Sequence, residues 1–440
     1  MAFVHPQSCE CTKSELDLFV VPPTQTSIES GTFVEYNPIA TISQGNPIEF
    51  SITGAGQDYI DLSNSQLYVR AQIVKANNDA IDAGDNVGPV NLLLHSLFSE
   101  VDITLNDTLV TDSNNTYAYR SYLETVLSYG DAAKSSQLTS SLYYKDVATH
   151  FEEANPHDAN GVNTGFRKRS ALANEGNIVE MLGCIHSDLF FQGRFLPNDV
   201  NIKIRLVRNK DAFCLMSSVQ GAAFKVRILE CKLYIRKVKL SPSVFLAHAK
   251  ALEAGNVKFP IRRGVCKTFT IPRGNLDATQ ECLFSGQLPT RLVIGCVDND
   301  AFNGSYTKNP FNFKHMQLSQ LKVYLDGQQQ SVKPLELNFA NNQFINAYAS
   351  LFMGTGKWMR DEGNQITRED FPGGYALYAF DLTADLAEGG HFNLLKQGNI
   401  RLDLKFAQAL ASTINVTAFA EFENILEIDR SRNVLFDYKN

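Results

Sequence analysis

The stretch that decides the fold is "FSEVDITLND", residues 98–107, read beside "LSQLKVYLDG", residues 318–327. Both alternate apolar and polar residues with period 2, the pattern of a strand buried on one face. Val101, Ile103 and Leu105 share one face; Leu321, Val323 and Leu325 repeat them at an offset of 321 − 101 = 220 positions. Each run ends in a turn dipeptide, Asn106–Asp107 or Asp326–Gly327, and a short second segment follows. The pair predicts two copies of one hairpin.

Working outward, the copies extend. In "YAYRSYLETVLSYG" the residues Tyr119, Tyr122, Leu123, Val126 and Leu127 fall at helical spacing. Phe344, Ile345, Tyr348, Leu351 and Phe352 make a similar stripe, and Gly130 and Gly354 are expected to cap the two helices. "NIKIRL" at 201–206 parallels "NIRLDL" at 399–404, and long strand-like runs, "AFKVRILECKLYIRKVKL" and "INVTAFAEFENILEI", close each half. A period near 200 residues is too long for a solenoid and indicates a duplicated domain.

Ser241 and Pro242 open a helical run that ends at Gly255. The expected organisation is an N-terminal arm over 1–40, a first unit over 41–240, a linking helix over 241–256, a second unit over 257–430 and a C-terminal tail over 431–440. Strand candidates in the first unit lie near 47–53, 66–76, 98–105, 108–112, 187–191, 200–208 and 223–239. Few helices and about eight strands per unit predict an all-β chain of two consecutive eight-stranded antiparallel jelly rolls. Turn to matching strand spans 201 − 106 = 95 residues in the first half and 399 − 326 = 73 in the second. The excess predicts a long projecting loop near 130–185, rich in Asn, Asp, Ser and Gly.

Composition excludes several function classes. The 440 residues are 44% hydrophobic and 20% charged with net charge −7, and no basic arm or strip suggests nucleic-acid wrapping. The N-terminal stretch has no charged region followed by a long apolar run, so export by a signal peptide is not expected. Eight cysteines include no C-x-x-C pair and read as reduced, mostly buried thiols. Zinc on His5, Cys9 and Cys11 is a weak alternative.

Chemistry-bearing motifs fail one by one. "VDNDAFNGSYTKNPFNF", residues 297–313, does not fit a calcium loop, because Ala301 and Pro310 would occupy ligand positions. The histidines include no H-x-H pair of the cupin type, although His150 and His157 lie seven apart. "GTGKW" at 354–358 lacks the leading glycine and the Ser/Thr of a phosphate loop. Acids around Asp361 and Glu362 could serve glycoside chemistry, yet charge runs on loops mostly face solvent. No catalytic residue, cofactor or metal is therefore expected. Phe302, Phe311 and Phe313 either cover the end of the second sandwich or contact a neighbouring subunit, and subunit contact is the favoured expectation.

The order "DLFVVPPTQTSIESG", "VNLLLHSLFSEVDITLND", "YRSYLETVLSYG", "DAFCLM", "VDNDAFNGSYTKNPFNFKH", "EGGHFNLLKQGNIRLDLKFA" and "EIDRSRNVLFDY" resembles the major capsid proteins of Polinton-like viruses and Maverick/Polinton-type elements. The likeness runs over roughly 17–438 and rests on coverage rather than on a single motif. It implies a double jelly-roll subunit that forms homotrimers of pseudo-hexagonal outline. It further implies an icosahedral shell around double-stranded DNA, a separate penton or minor capsid protein, and location in the virion after assembly inside the host cell. The family supplies no catalytic residues. A double-sandwich glycan hydrolase or a lectin-like binding protein is the alternative.

Overall fold

The structure is a computed structural model that describes residues 4–43, 45–111, 114–329, 334–386 and 391–436. In the first half the principal strands are β1 (Ile28–Tyr36), β2 (Ile48–Ile52), β3 (Asp58–Val74), β4 (Phe98–Leu105), β5 (Thr108–Leu109), β6 (Ile178–Gly183), β7 (Ile202–Arg208) and β8 (Lys225–Leu240). In the second they are β9 (Val257–Ile271), β10 (Asp277–Gln287), β11 (Arg291–Asp298), β12 (Leu318–Leu325), β13 (Gln328–Gln329), β14 (Leu377–Asp381), β15 (Gln397–Phe406) and β16 (Ile414–Ile428). A short β17 (Val434–Phe436) pairs with β16.

The sheet orders state the duplication. The first half has β1-β8-β3-β6 opposite β2-β7-β4-β5; the second has β9-β16-β11-β14 opposite β10-β15-β12-β13. Adding eight to every strand of one half gives the other. Every pairing is antiparallel. Two four-stranded sheets in this order, face to face, make a jelly roll, so the chain is two consecutive eight-stranded jelly rolls.

The duplication reaches single residues. Asn106 and Asp107 have φ of 41° and 67°; Asp326 and Gly327 have 49° and 78°. Both dipeptides thus form left-handed two-residue hairpin turns, whose twist matches that of the flanking strands. Asn106 N–H donates to Asn201 O at 3.0 Å and its side-chain oxygen accepts from Asn201 N–H at 2.8 Å. Asp326 and Asn399 repeat both bonds at 3.0 and 2.8 Å. One extra residue bulges between Phe98 and Glu100, and another between Leu318 and Gln320. These residues are Ser99 and Ser319, and the Ser319 hydroxyl donates to Lys405 O at 2.9 Å.

Four helices matter: α1 (Tyr117–Ser128), α2 (Thr164–Ala173), α3 (Pro242–Ala254) and α4 (Ile345–Met353). The stripe on α1 is buried throughout, Tyr119, Tyr122, Leu123, Val126 and Leu127 included. On α4 the buried face is turned: Ala347 and Leu351 are inside and Ile345 is 49% exposed. One of the two glycines caps its helix: Gly354 is the C-cap of α4, with an ordinary right-handed φ of −71° that does not itself demand glycine, whereas Tyr129, not Gly130, holds that position on α1. Gly354 is required instead by proximity, because a Cβ there would lie 2.7 Å from the Ala379 carbonyl carbon of β14.

Several expected boundaries need correction. Residues 28–36, assigned to the arm, are edge strand β1 of the first roll, hydrogen-bonded along β8. Its mostly exposed face hides the period-2 signal. The fourth strand of that sheet is 178–183, not 187–191, which is a 3-10 turn over Asp188–Phe191. Residues 434–436 of the expected tail are β17, and 437–440 lie outside the described residues. Finally, the segment 130–185 is not loop throughout. It carries α2 and buries Tyr143, Phe151 and Phe166 in the core of the second roll.

Candidate functional site

The chemistry-bearing side chains converge on the seam between the two rolls, and the aromatic loop is where it begins. Asn299–Asn303 is a single helical turn, and Phe313–Lys314 pairs with Gly373–Gly374. Phe311 and Phe313 are fully buried, and Phe302 is half-buried. The Phe311 ring stacks on Tyr122 of α1 at 4.2 Å between centroids, and Phe302 stacks on Tyr119 at 5.3 Å. Phe213 of the first roll meets Phe311 edge-on at 5.9 Å. Phe313 fits because Gly295 of β11 lies beneath it; a Cβ there would sit 2.5 Å from the ring. The favoured expectation of a subunit-contact loop is therefore corrected for Phe311 and Phe313. Their neighbour is the other roll of the same chain, since a tyrosine-faced helix offers apolar ring faces that desolvate three phenylalanines together.

Beside this cluster runs a buried polar line. Arg120 of α1 donates to Asp188 at 2.5 Å, to Glu124 at 2.8 Å and to the Gly264 carbonyl of β9 at 3.1 Å. Gly264 N–H donates to the same Asp188 oxygen at 3.0 Å. Asn114 and Thr116 reach the Cys266 carbonyl of β9 at 2.8 and 3.3 Å. Glu124 also meets His186 Nδ1 at 2.7 Å, and the His186 and His95 rings lie 4.5 Å apart, with His95 Nδ1 3.0 Å from the Tyr117 hydroxyl. Burial, then the proximity of His186, holds His95 well below the usual imidazole range. Burial works against the Glu124 carboxylate, but Arg120 and His186 outweigh it and hold its pKa below the ordinary value. Each charge in the line has a partner, which is the condition for burying it at tolerable cost.

The segment expected to project makes the third set of contacts. Arg169 and Asp146 form a pair at 2.7 Å with both side chains fully buried. The Tyr375 hydroxyl of the second roll donates to Asp146 O at 2.6 Å, and Phe151 packs edge-on against the Tyr375 ring at 5.0 Å. Lys145 pairs with Asp370 at 2.5 Å. Lys134 Nζ donates to Val126 O and to Asn364 O, each at 2.7 Å.

The remaining candidates are scattered. Asp361 and Glu362 lie on an exposed loop. His150 pairs with Glu153 at 2.5 Å, whereas His157 bonds the Asp85 carbonyl at 3.2 Å. Lys357 of "GTGKW" donates to Ser128 O at 2.9 Å, tying the end of α4 to the end of α1. His5, Cys9 and Cys11 are exposed. Cys231, Cys266 and Cys296 are buried thiols, and burial pushes each up to about 12. Among the described residues no group of three His, Cys, Asp or Glu is placed to hold a metal ion, and no helix is long and apolar enough to cross a membrane. The seam thus holds the two rolls together through stacked rings and buried hydrogen bonds. Sequence reasoning misses Arg120, Asp188, Asp146 and Arg169 at this seam. The available signal is a charged residue within an apolar helical stripe, as at Arg120.

The class of molecule so defined is a tandem jelly-roll chain with one interlocked body. Known structures of this class match it over nearly its whole length. The Sputnik virophage structure solved by cryo-electron microscopy contains a chain matched with a TM-score of 0.65 at 11% identity, covering 98% of this chain and 94% of that one. The mavirus major capsid protein matches with a TM-score of 0.58 at 13% identity, covering 99% and 95%. The Faustovirus major capsid protein matches with a TM-score of 0.57 at 9% identity, covering 93% and 92%. At such identities the likeness establishes the double jelly-roll fold. In sequence, an uncharacterized protein of Caenorhabditis elegans is 26% identical over 429 residues, 95% of this chain and 99% of that protein. No protein-family model matches the chain.

Proposed function

We propose that this chain is a major capsid protein, a shell-building subunit with no catalytic role and no cofactor. The carrying observation is the strict repetition of strand order, hairpin turn and bulge between two rolls that share one buried seam. Two similar rolls fixed side by side give each chain two near-equal corners. Three chains around an axis then present six, so one trimer fills a hexagonal place in an icosahedral lattice. The rolls at 41–240 and 257–430, with β1 added to the first, are the two building units, and α3 is the link. The solved major capsid proteins of mavirus and Faustovirus share this architecture.

The finer reading follows the sequence resemblance. The lineage is that of Polinton-like viruses and related elements, the genome is double-stranded DNA, and a penton or minor capsid protein closes the vertices. The particle assembles inside the host cell and the protein resides in the virion. With a net charge of −7 the chain does not condense DNA by itself.

Purified chain is expected to run in light scattering as a trimer of about 147 kDa, three times 48.9 kDa, and to form hexagonal arrays or closed particles in negative-stain micrographs. A chain that stays monomeric at every concentration up to the millimolar range, or that cleaves a glycan panel, would overturn the reading.

A further inference from the structure

From Val4 to Ser27 every residue is exposed, and the run "LDLFVV" stands out within it. Leu16, Leu18, Phe19, Val20 and Val21 are 67%, 76%, 96%, 69% and 82% exposed. Five large apolar side chains within six positions, all without cover, mark a contact surface. This arm leaves the body at Ser27, on the rim of an apolar groove of about 640 Å³. One wall of the groove is α3, through Val244, Ala251 and Leu252; the opposite wall is Tyr59, Phe195 and Phe259 from the two rolls.

We infer that residues 16–21 of one copy occupy the α3 groove of a second copy, which makes the arm a strap between subunits. Length fits: six extended residues span about 20 Å, and the 13 residues of α3 rise about 20 Å. Charge fits as well. The arm carries Glu10, Glu15 and Asp17 against Lys13 alone, while the ionisable residues lining the groove are Arg194, Lys258, His248 and the phenol of Tyr59. The occupant comes from another copy because of Pro22 and Pro23. Two consecutive prolines hold Val21 and Pro22 in extended backbone, and the apolar side chains of the run are 67–96% exposed, so the run does not occupy the groove of its own chain. An acidic apolar run is also a poor ligand for an anionic bilayer, which selects basic segments.

This inference rests on the capsid reading, and the test separates the two. In chains with Cys9, Cys11 and Cys282 changed to serine, Phe19→Cys is placed in one tagged copy and Ala251→Cys in a differently tagged copy, and the two are co-expressed. Oxidation is expected to yield a cross-linked species of two-chain mass carrying both tags. No such species from a wild-type chain that assembles, or a cross-link formed only when both cysteines lie in one chain, overturns the strap and leaves the capsid reading intact. A wild-type chain that never assembles in light scattering sinks both. The full-length double variant Leu18→Asp/Phe19→Asp is expected to melt at the wild-type temperature and to need at least tenfold more protein for half-assembly. An unchanged assembly midpoint would count against the strap.

Discussion

Asp146 and Arg169 show what a single pair does at the seam. Oδ1 of Asp146 accepts from Arg169 Nη2 at 2.7 Å and from Asn163 at 3.0 Å, and the guanidinium also reaches Tyr144 O and Pro89 O at 2.6 and 3.1 Å. Removing one partner strands a charge that water cannot reach, at a cost of about 3–5 kcal/mol. Arg169→Met is therefore expected to lower the urea unfolding free energy by that amount, and adding Asp146→Leu should restore part of it. A single variant within about 1 kcal/mol of wild type, the loss typical of an average substitution, would contradict the account. Lys134 makes a second, pH-dependent case. Burial, then the charges of Lys357 and Lys145, lowers its pKa to about 7. In the unfolded chain a lysine titrates near 10.4, on the order of the free side chain. Between these values the unfolded state binds more protons, so this group makes stability rise with pH. Below about 7 both states are protonated and the full penalty of burying the charge remains. The stability of wild type relative to Lys134→Met should thus climb by up to about 1.4 kcal/mol per pH unit between pH 7 and 9. Parallel stability profiles for the two proteins would refute the shift.

At the scale of elements, the hairpins are the most legible part of the sequence. Val101, Ile103 and Leu105 are buried as their alternation predicts, and so are Ile202, Ile204, Leu206, Ile400, Leu402 and Leu404. Such strands have one wet face and one dry face, so burial writes itself into every second residue. β1 escapes sequence reading because an edge strand with two largely exposed faces carries no such imprint. The segment 130–185 misleads for the opposite reason: its composition is that of a surface loop, and of the residues that anchor it, Phe151 meets Tyr375, 375 − 151 = 224 positions away. The aromatic loop shows the same limit, because nothing local in 297–313 announces Tyr119 or Tyr122. Turn chemistry is local and can be tested locally. Gly327 has φ of 78°, and a Cβ added there would have no atom within 4 Å, so Gly327→Ala measures chiefly the backbone strain of the left-handed turn. A loss of about 1–2 kcal/mol is expected from the left-handed conformation, read as a shift in denaturation midpoint at constant slope; a neutral result would mean the hairpin adopts another turn.

At the scale of the whole molecule, the two rolls do not own separate cores. Tyr119, Tyr122, Leu123, Val126, Phe166 and Phe213 of the first half lie in one cluster with Leu292, Phe311, Phe313 and Leu402 of the second. In return Phe259, Ile261, Leu426 and Ile428 of the second half lie in the cluster built by Ile103, Ile204 and Leu233. The face of α1 alone buries five large side chains, a contribution on the order of 10 kcal/mol at the usual 1.5–3 kcal/mol each. Domains joined only by a linker melt separately, but an interface of that size couples them. The intact chain is therefore expected to give one calorimetric transition, with calorimetric and van't Hoff enthalpies in agreement, at a protein concentration where it is monomeric. Phe311→Ala, which opens the stack on Tyr122, should cost about 3–5 kcal/mol and split the transition by weakening the coupling more than either sandwich. Two resolved peaks in the unmodified chain would show that the rolls are independent.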